Sequence, residues 1–499
     1  MKQQRGVEMK LNQTKIILIL IGALLIGVLG GYGGVKLAQN SEGNAPLEIT
    51  NSENETDNAE EESSAELPAD LDKISQTFDL IKSNYIEDVD DNELVEGAIE
   101  GMLSTLEDPH TSYLDSEMME QFNEQIESSF EGIGAEVSEI DGYITIMSPM
   151  KESPAEKAGL RPNDQVLSVD GESLEGLNVN EAVAKIRGEK GTDVVLEIQR
   201  SGTSDPFEVT IQRDTIPVET VYSEVESEDG KDTGVIQITN FSEHTGEEFE
   251  EQLADLEEQG IDGLVIDVRG NPGGLLDVAE EILQQFVPSD MPYLQIEDAN
   301  GNAEEYVSNL DEAKDYPISV LIDEGSASAS EIVAVAMKEL DYDVVGETSF
   351  GKGTVQQAIP LGDDSSIKMT TLKWLSPGGE WIDGKGVEPT VEQRQDDYYY
   401  STPIQVTDDE PLTFDHTSEA VANMQVMLSG LGYDTGRTDG YFSEETEQAV
   451  EEFQEDNDLE ATGEVDEETG GLIETQVIEK IRDGEDDRQL ERSLEELYQ

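Results

Sequence analysis

The chain has 499 residues, of which 115 are acidic and 29 basic, for a formal charge of −86. That length leaves room for several domains, and that charge excludes a nucleic-acid binder, which needs a basic footprint. With no cysteine and three histidines, disulfides and thiol catalysis are excluded, a metal site lacks support, and a serine–histidine enzyme would have few bases to choose from. The acidic excess is spread along the chain, which suits a surface that works in high salt.

Residues 16–35 are apolar or glycine apart from Tyr32, and Lys2, Arg5, Lys10 and Lys15 precede them. About 20 such residues span a bilayer, and flanking cations keep their side in the cytoplasm. Residues 1–36 are therefore expected to be a cytoplasmic N-terminus and membrane anchor, with the remainder outside the cell. A cleaved signal peptide is the alternative; the long apolar run and the lack of an A-x-A site speak against it. Residues 41–70 hold ten acidic residues and no basic one, and are expected to form a disordered, extended stalk.

Residues 71–129 read as a helical segment. Ile74, Phe78 and Ile81 make one stripe, and Leu94, Ile99, Met102, Leu103 and Leu106 make another. His110 follows the second stripe and reads as structural rather than catalytic. In 130–214, Phe130-Glu131-Gly132-Ile133-Gly134-Ala135 is a glycine-rich loop. Ser153–Leu160 reads as a short helix, Asp164–Gly171 as a strand, and Val179–Arg187 as a second helix. This order resembles a PDZ domain. The resemblance implies that Gly132, Ile133, Gly134 and Ala135 bind a peptide's terminal carboxylate, with the peptide adding as a strand beside the second helix. Arg187, at the end of that helix, is a candidate regulatory contact holding the domain against the core through a carboxylate; a solvated helix-end cation is the alternative.

From 215 to 390, strand signals at Val235–Ile238, Leu264–Val268 and Pro317–Ile322 alternate with apolar helical stripes. One stripe is Phe249, Leu253 and Leu256; the next is Leu275, Val278, Ile282 and Phe286. Such alternation predicts an α/β core with a mostly parallel sheet. After the strand Pro317–Ile322 comes Glu324-Gly325-Ser326-Ala327-Ser328-Ala329-Ser330-Glu331, and then Phe350-Gly351-Lys352-Gly353-Thr354-Val355-Gln356-Gln357. A serine where a strand becomes a helix sits by amides that can hold an oxyanion. A lysine buried enough to be neutral can take the serine proton without any histidine. Three serines alternate, so spacing alone does not name the nucleophile.

These two blocks, with Asp108-Pro109-His110-Thr111, Asp267-Val268-Arg269-Gly270-Asn271-Pro272-Gly273-Gly274 and Lys373-Trp374-Leu375-Ser376-Pro377-Gly378-Gly379, resemble the carboxy-terminal processing peptidases over residues 71–390. The resemblance implies a crotonase-like or Clp-like core with Ser328 as nucleophile, Lys352 as general base, and Gln356 hydrogen-bonded to the lysine. It places oxyanion amides at Gly273, Gly274 and Ala329. It implies no cofactor, and dimers occur among relatives.

Residues 391–416 read as a linker. Within 417–482, Met424–Leu428, Asp439-Gly440-Tyr441-Phe442, Ala449–Gln454 and Thr462-Gly463 resemble a three-helix peptidoglycan-binding module. Residues 483–499 read as a charged helix or tail. The whole predicts a multidomain α/β chain: a membrane-anchored, wall-tethered serine endopeptidase acting on proteins with exposed C-terminal tails. The rival is a non-catalytic PDZ and wall-binding adaptor.

Overall fold

The computed structural model describes residues 71–499, apart from Asp141, Glu152, Ser201, Gly202, Ser204, Asp205, Asp229, Asp408, Asp409 and Glu485. The expected anchor and acidic stalk lie outside the described residues. Among the described residues no helix is long and apolar enough to cross a membrane.

The peptidase core is built on a six-stranded sheet. Its order is Val221–Glu228, Lys231–Ile238, Gly263–Asp267, Ile318–Ile322, Asp343–Gly346 and Val391–Glu392. The first pair is an antiparallel hairpin and every later pairing is parallel. The apolar runs in these strands follow from cover on both faces. Ile236, Ile266, Val320, Ile322 and Val344 point into the main core, against Phe249, Leu253, Ile282 and Ile332 of three helices. The alternate residues Val235, Val265, Leu321 and Val345 point the other way, against Leu490, Leu494 and Leu497.

Those three leucines belong to the helix Arg488–Leu497, in the stretch read from sequence as a charged helix or tail. It is a structural part of the peptidase. Ser493 Oγ bonds Ser319 Oγ at 2.5 Å, and Tyr498 OH bonds Thr233 Oγ1 at 2.6 Å.

A second sheet of five strands carries Thr354–Pro360, the strand that follows Lys352, beside Ser366–Leu375. The opposite edge of Ser366–Leu375 takes Ser112–Leu114 in antiparallel pairing, so the segment 71–129, expected to be helical, also contributes a strand. Its helices are Asp72–Asn84, Asp91–Leu103 and Ser116–Glu127. The PDZ-like unit joins the rest through a two-stranded neck, Ser129–Gly132 against Asp214–Pro217.

Residues 391–400 are not the loose connection expected of a linker. Val391–Glu392 extends the central sheet, and Tyr398 is buried among the hydrophobic residues of the C-terminal module. That module has helices Glu419–Gly430, Glu444–Asp456 and Glu467–Arg482. Two buried glutamines repeat one device in it. Gln425 accepts from Gly440 N–H at 3.0 Å, and Gln454 accepts from Gly463 N–H at 3.0 Å, each helix pinning the turn that follows it.

Candidate active site

The strand Ile318–Ile322 passes to the helix Ala329–Glu339 through a turn that holds Ser326 and Ser328, with Ser330 in the first turn of the helix. Their surroundings separate them. Ser326 Oγ donates to the Val268 carbonyl at 2.8 Å and accepts from Asp323 N–H at 3.0 Å. Ser330 Oγ donates to the Asn271 carbonyl at 2.9 Å. Ser328 Oγ is buried and makes no hydrogen bond among the described residues. Its backbone stands at φ 58° and ψ −110°, a region an L-residue occupies only when its surroundings hold it there, at a cost of about 1–3 kcal/mol.

Glu331, fully buried one turn into the helix, supplies the hold. Its Oε2 accepts from Ser328 N–H at 2.7 Å and from Lys352 N–H at 2.8 Å. Its Oε1 accepts from Gly351 N–H at 2.7 Å and from the Ser349 hydroxyl at 2.5 Å. One carboxylate thus ties the serine turn to the lysine segment. Burial pushes the Glu331 pKa up, and the four hydrogen bonds only partly offset it.

Lys352 is 1% exposed. Its carbonyl accepts from the Trp374 indole at 2.8 Å, and the Gly353 carbonyl accepts from the Trp381 indole at 2.8 Å. The chain's two tryptophans therefore fix the backbone on which the lysine stands. Burial, assisted by the Lys368 charge, lowers the Lys352 pKa to about 7, with Glu331 and Asp108 pulling the other way. At neutral pH much of it carries no proton and can accept one. His110 is half-buried; burial first, then the nearby Lys352 charge, lowers its own pKa.

Gln356 departs from expectation. Its Nε2 donates to Thr354 Oγ1 at 2.9 Å and Thr370 Oγ1 at 3.0 Å, and its Oε1 accepts nothing, so no hydrogen bond runs from Lys352 to it. The pairing with Ser366–Leu375 shifts register between Val355 and Gln356, and such an irregularity re-aims the side chain that follows.

The turn after Asp267 packs on the serine turn. A Cβ at Gly273, φ +102°, would lie 2.7 Å from the Ala327 carbonyl oxygen and 2.8 Å from Ser328 Cβ, so only glycine fits. Gly273 N–H, expected as an oxyanion donor, is already given to Asn271 Oδ1 at 2.9 Å. That leaves Gly274 N–H and Ala329 N–H, the latter at the start of a helix where amides lack intrahelical partners. Asn271 is buried and also donates to the Ile238 carbonyl and accepts from Ala327 N–H.

In the PDZ-like unit, Ala135–Ile140 is the edge strand of its sheet, next to the helix Val179–Ile186. An edge strand has a row of backbone groups open to an added strand. Gly132 ends the neck strand and Gly134, φ +71°, turns the chain; a Cβ there would lie 2.5 Å from Ser153 Cβ. Ile133 does not face a peptide: its side chain is buried in the core of the unit, and its carbonyl accepts from Ala155 N–H at 2.8 Å. The cation that closes the helix end is Arg213, whose Nε donates to the Ile186 carbonyl at 2.8 Å. Arg187 turns away to Glu124 at 3.2 Å, with its guanidinium over the Phe130 ring. Glu124 lies on the helix Ser116–Glu127, ahead of the PDZ-like unit and not in the core. Both partners are partly exposed, so this pair alone is worth little.

The sequence reading missed Glu331, Asn271 and the indole clamps. A glutamate at the third position of the helix after a candidate nucleophile was a usable signal, because such a glutamate commonly reaches back to the N-cap amide. Nothing in spacing marked the tryptophans.

Residues 232–393 match peptidase family S41, residues 145–200 a PDZ domain, residues 417–472 a putative peptidoglycan binding domain, and residues 24–118 the activating protease CtpB N-terminal domain. The carboxy-terminal processing protease CtpB of Bacillus subtilis (strain 168) is 48% identical over 489 residues, 98% of this chain and 100% of that protein. The carboxy-terminal processing protease CtpA of the same organism is 41% identical over 428 residues, 86% of this chain and 90% of that protein. Among solved structures, the photosystem II D1 C-terminal processing protease is 24% identical with a TM-score of 0.41, covering 66% of this chain and 94% of that one. The chain belongs to the carboxy-terminal processing proteases, serine peptidases of family S41, and carries a PDZ domain and a peptidoglycan-binding domain.

Proposed function

We propose that this protein is a membrane-anchored, extracytoplasmic endopeptidase that uses a Ser328–Lys352 dyad, selects substrates by their C-terminal tails, and is tethered to the cell wall. One observation carries the dyad: a strained, buried serine without a hydrogen bond is joined through Glu331 to a lysine whose pKa burial lowers to about 7. Neutral Lys352 takes the Ser328 hydroxyl proton as Oγ attacks the scissile carbonyl carbon. The carbonyl oxygen becomes an oxyanion, met by the Gly274 and Ala329 N–H groups. The lysine ammonium then gives its proton to the leaving amine as the C–N bond breaks. Water then attacks the acyl carbon, losing a proton to Lys352, and the ammonium returns that proton to Ser328 Oγ as the C–Oγ bond breaks. Gln356 acts at one remove, by packing the strand that follows Lys352 through Thr354 and Thr370.

Tail recognition is supported by the open edge of Ala135–Ile140 beside the helix Val179–Ile186. An extended peptide adds there through backbone bonds, its carboxylate meeting the amides of the 132–135 turn. Anchorage rests on the apolar run 16–35 and its cationic flank, and wall tethering on the peptidoglycan-binding domain. The test is cleavage of an unstructured protein ending in apolar residues, offered as free acid and as C-terminal amide. The full chain is expected to cut the acid faster, and Ser328→Ala to cut neither. Equal rates on acid and amide would remove tail recognition. Turnover surviving in Ser328→Ala would remove the dyad, and no turnover in the full chain would leave the adaptor reading.

A further inference from the structure

Residues 487–498 follow the peptidoglycan-binding domain in sequence, yet they finish the peptidase. Besides covering one sheet face, they reach the turn that carries Gly274. Arg269 opens that turn. Its Nη2 donates to Asp267 Oδ2 at 2.6 Å and to Asp487 Oδ2 at 2.8 Å; its Nη1 donates to Asp487 Oδ1 at 2.8 Å and Gln489 Oε1 at 3.1 Å. Its Nε donates to Asp267 Oδ1 at 2.9 Å. The guanidinium is thus held in a fork by two carboxylates, one from its own strand and one from beyond the wall domain. Planar two-point bonds of this kind fix direction as well as distance.

The fork is buried. The Arg269 side chain is 16% exposed and that of Asp487 12%. Asp487 is itself held in place: it accepts from Gln395 Nε2 at 2.6 Å and caps its own helix through Leu490 N–H at 3.0 Å. From Arg269 the chain runs directly into Gly270, whose N–H donates to Asp323 Oδ1 at 2.8 Å. Next comes Asn271, which grips Ala327 of the serine turn and Ser330 of the helix after it. A shift of Arg269 therefore moves the same turn that presents Gly274 to Ser328.

We infer that Asp487 is a positioning residue of the peptidase site: acting through Arg269, it holds the 269–274 turn in the register that the reaction needs. The inference rests on the reading of Ser328 as nucleophile. A role confined to docking the last helix would show in stability alone; a positioning role shows in kcat.

The test uses the full chain and four variants: Asp487→Asn, which keeps size but breaks the charged fork; Asp487→Glu; Leu494→Ala, which loosens the same helix away from the fork; and Arg492→Ala on its exposed side. Turnover of the unstructured substrate is measured with backbone hydrogen exchange at residues 270–274. Asp487→Asn is expected to lower kcat about tenfold, with KM within about twofold, since misplacement of a catalytic turn costs rate before binding. Exchange at 270–274 should quicken in that variant only, and Asp487→Glu should recover part of the rate. Leu494→Ala should lower the melting temperature and leave kcat near that of the parent, as should Arg492→Ala without the thermal loss. Unchanged kcat in Asp487→Asn, or an equal kcat loss in Leu494→Ala, overturns the inference. Exchange reports on the fork without any turnover, so a failed nucleophile assignment shows separately, as activity that survives in Ser328→Ala.

Discussion

Lys352 and Arg269 are both buried cations of the peptidase core, each next to a turn that touches Ser328, and their surroundings treat them in opposite ways. Arg269 is given two carboxylates in planar register, and its pKa stays well above the ordinary value although burial opposes the charge. Lys352 has a carboxylate near it too, but Glu331 has four donors from the backbone and Ser349 on its oxygens. Burial therefore dominates at the lysine, and its pKa falls to about 7. Burial alone does not decide the state of a cation. What decides it is whether the nearest anion's lone pairs are free to meet it. The arginine stays charged within the scaffold, and the lysine is left able to accept a proton.

The sharpest way to break this contrast is Lys352→Met. Turnover should fall about 10²–10⁴-fold, the usual worth of a general base. Stability should move the other way. The folded pKa lies below the unfolded 10.5, so between about pH 7 and 10.5 the unfolded chain holds the extra proton and the parent's stability rises with pH. Below pH 7 the full cost of the buried charge stands. Lys352→Met should therefore gain roughly 2–4 kcal/mol below pH 7, some of the shift being lost to local relaxation, with a gain that shrinks toward pH 10.5. Thermal melts of parent and variant across that range test it; a gain that grows with pH contradicts the assignment.

Glu331→Gln probes the anion. An amide offers one acceptor oxygen and puts an N–H₂ group where two donors point, so the serine and lysine segments should separate. A kcat loss of about 10–100-fold is expected with the fold retained by circular dichroism; full activity would show that the tie is dispensable. The smallest effect belongs to Lys368→Met. Its charge helps lower the Lys352 pKa while Glu331 and Asp108 raise it, and half-buried His110 sits within reach of the same field. Removing Lys368 should move the acid limb of the kcat/KM profile to higher pH by less than about one unit. A shift toward lower pH would contradict the electrostatic account.

The sequence carried the peptidase core well because strands buried on both faces write themselves as Val/Ile/Leu runs, and because the Asp267–Gly274 and Ser326–Glu331 blocks are specific. Spacing alone did not decide among Ser326, Ser328 and Ser330, and only the family resemblance pointed to Ser328, since the choice depends on which hydroxyl the neighbouring turn leaves unbonded. The Gln356 contact and the Gly273 donor were misjudged for a related reason: a register shift and one asparagine side chain redirect groups that spacing treats as available. That the helix Arg488–Leu497 packs on the core was hidden by its charge, although Leu490, Leu494 and Leu497 already had helical spacing.

That last helix also bears on how the protein comes into being. Synthesis runs from the N-terminal end, so residues 488–497 emerge only after the entire peptidoglycan-binding domain. Until they do, Val235, Val265, Leu321 and Val345 have no cover, and the Arg269 guanidinium lacks its second carboxylate. A partly made copy therefore exposes an apolar sheet face. The peptidoglycan-binding domain is made before the peptidase core closes, and the core is complete only once residues 488–497 have been added to it.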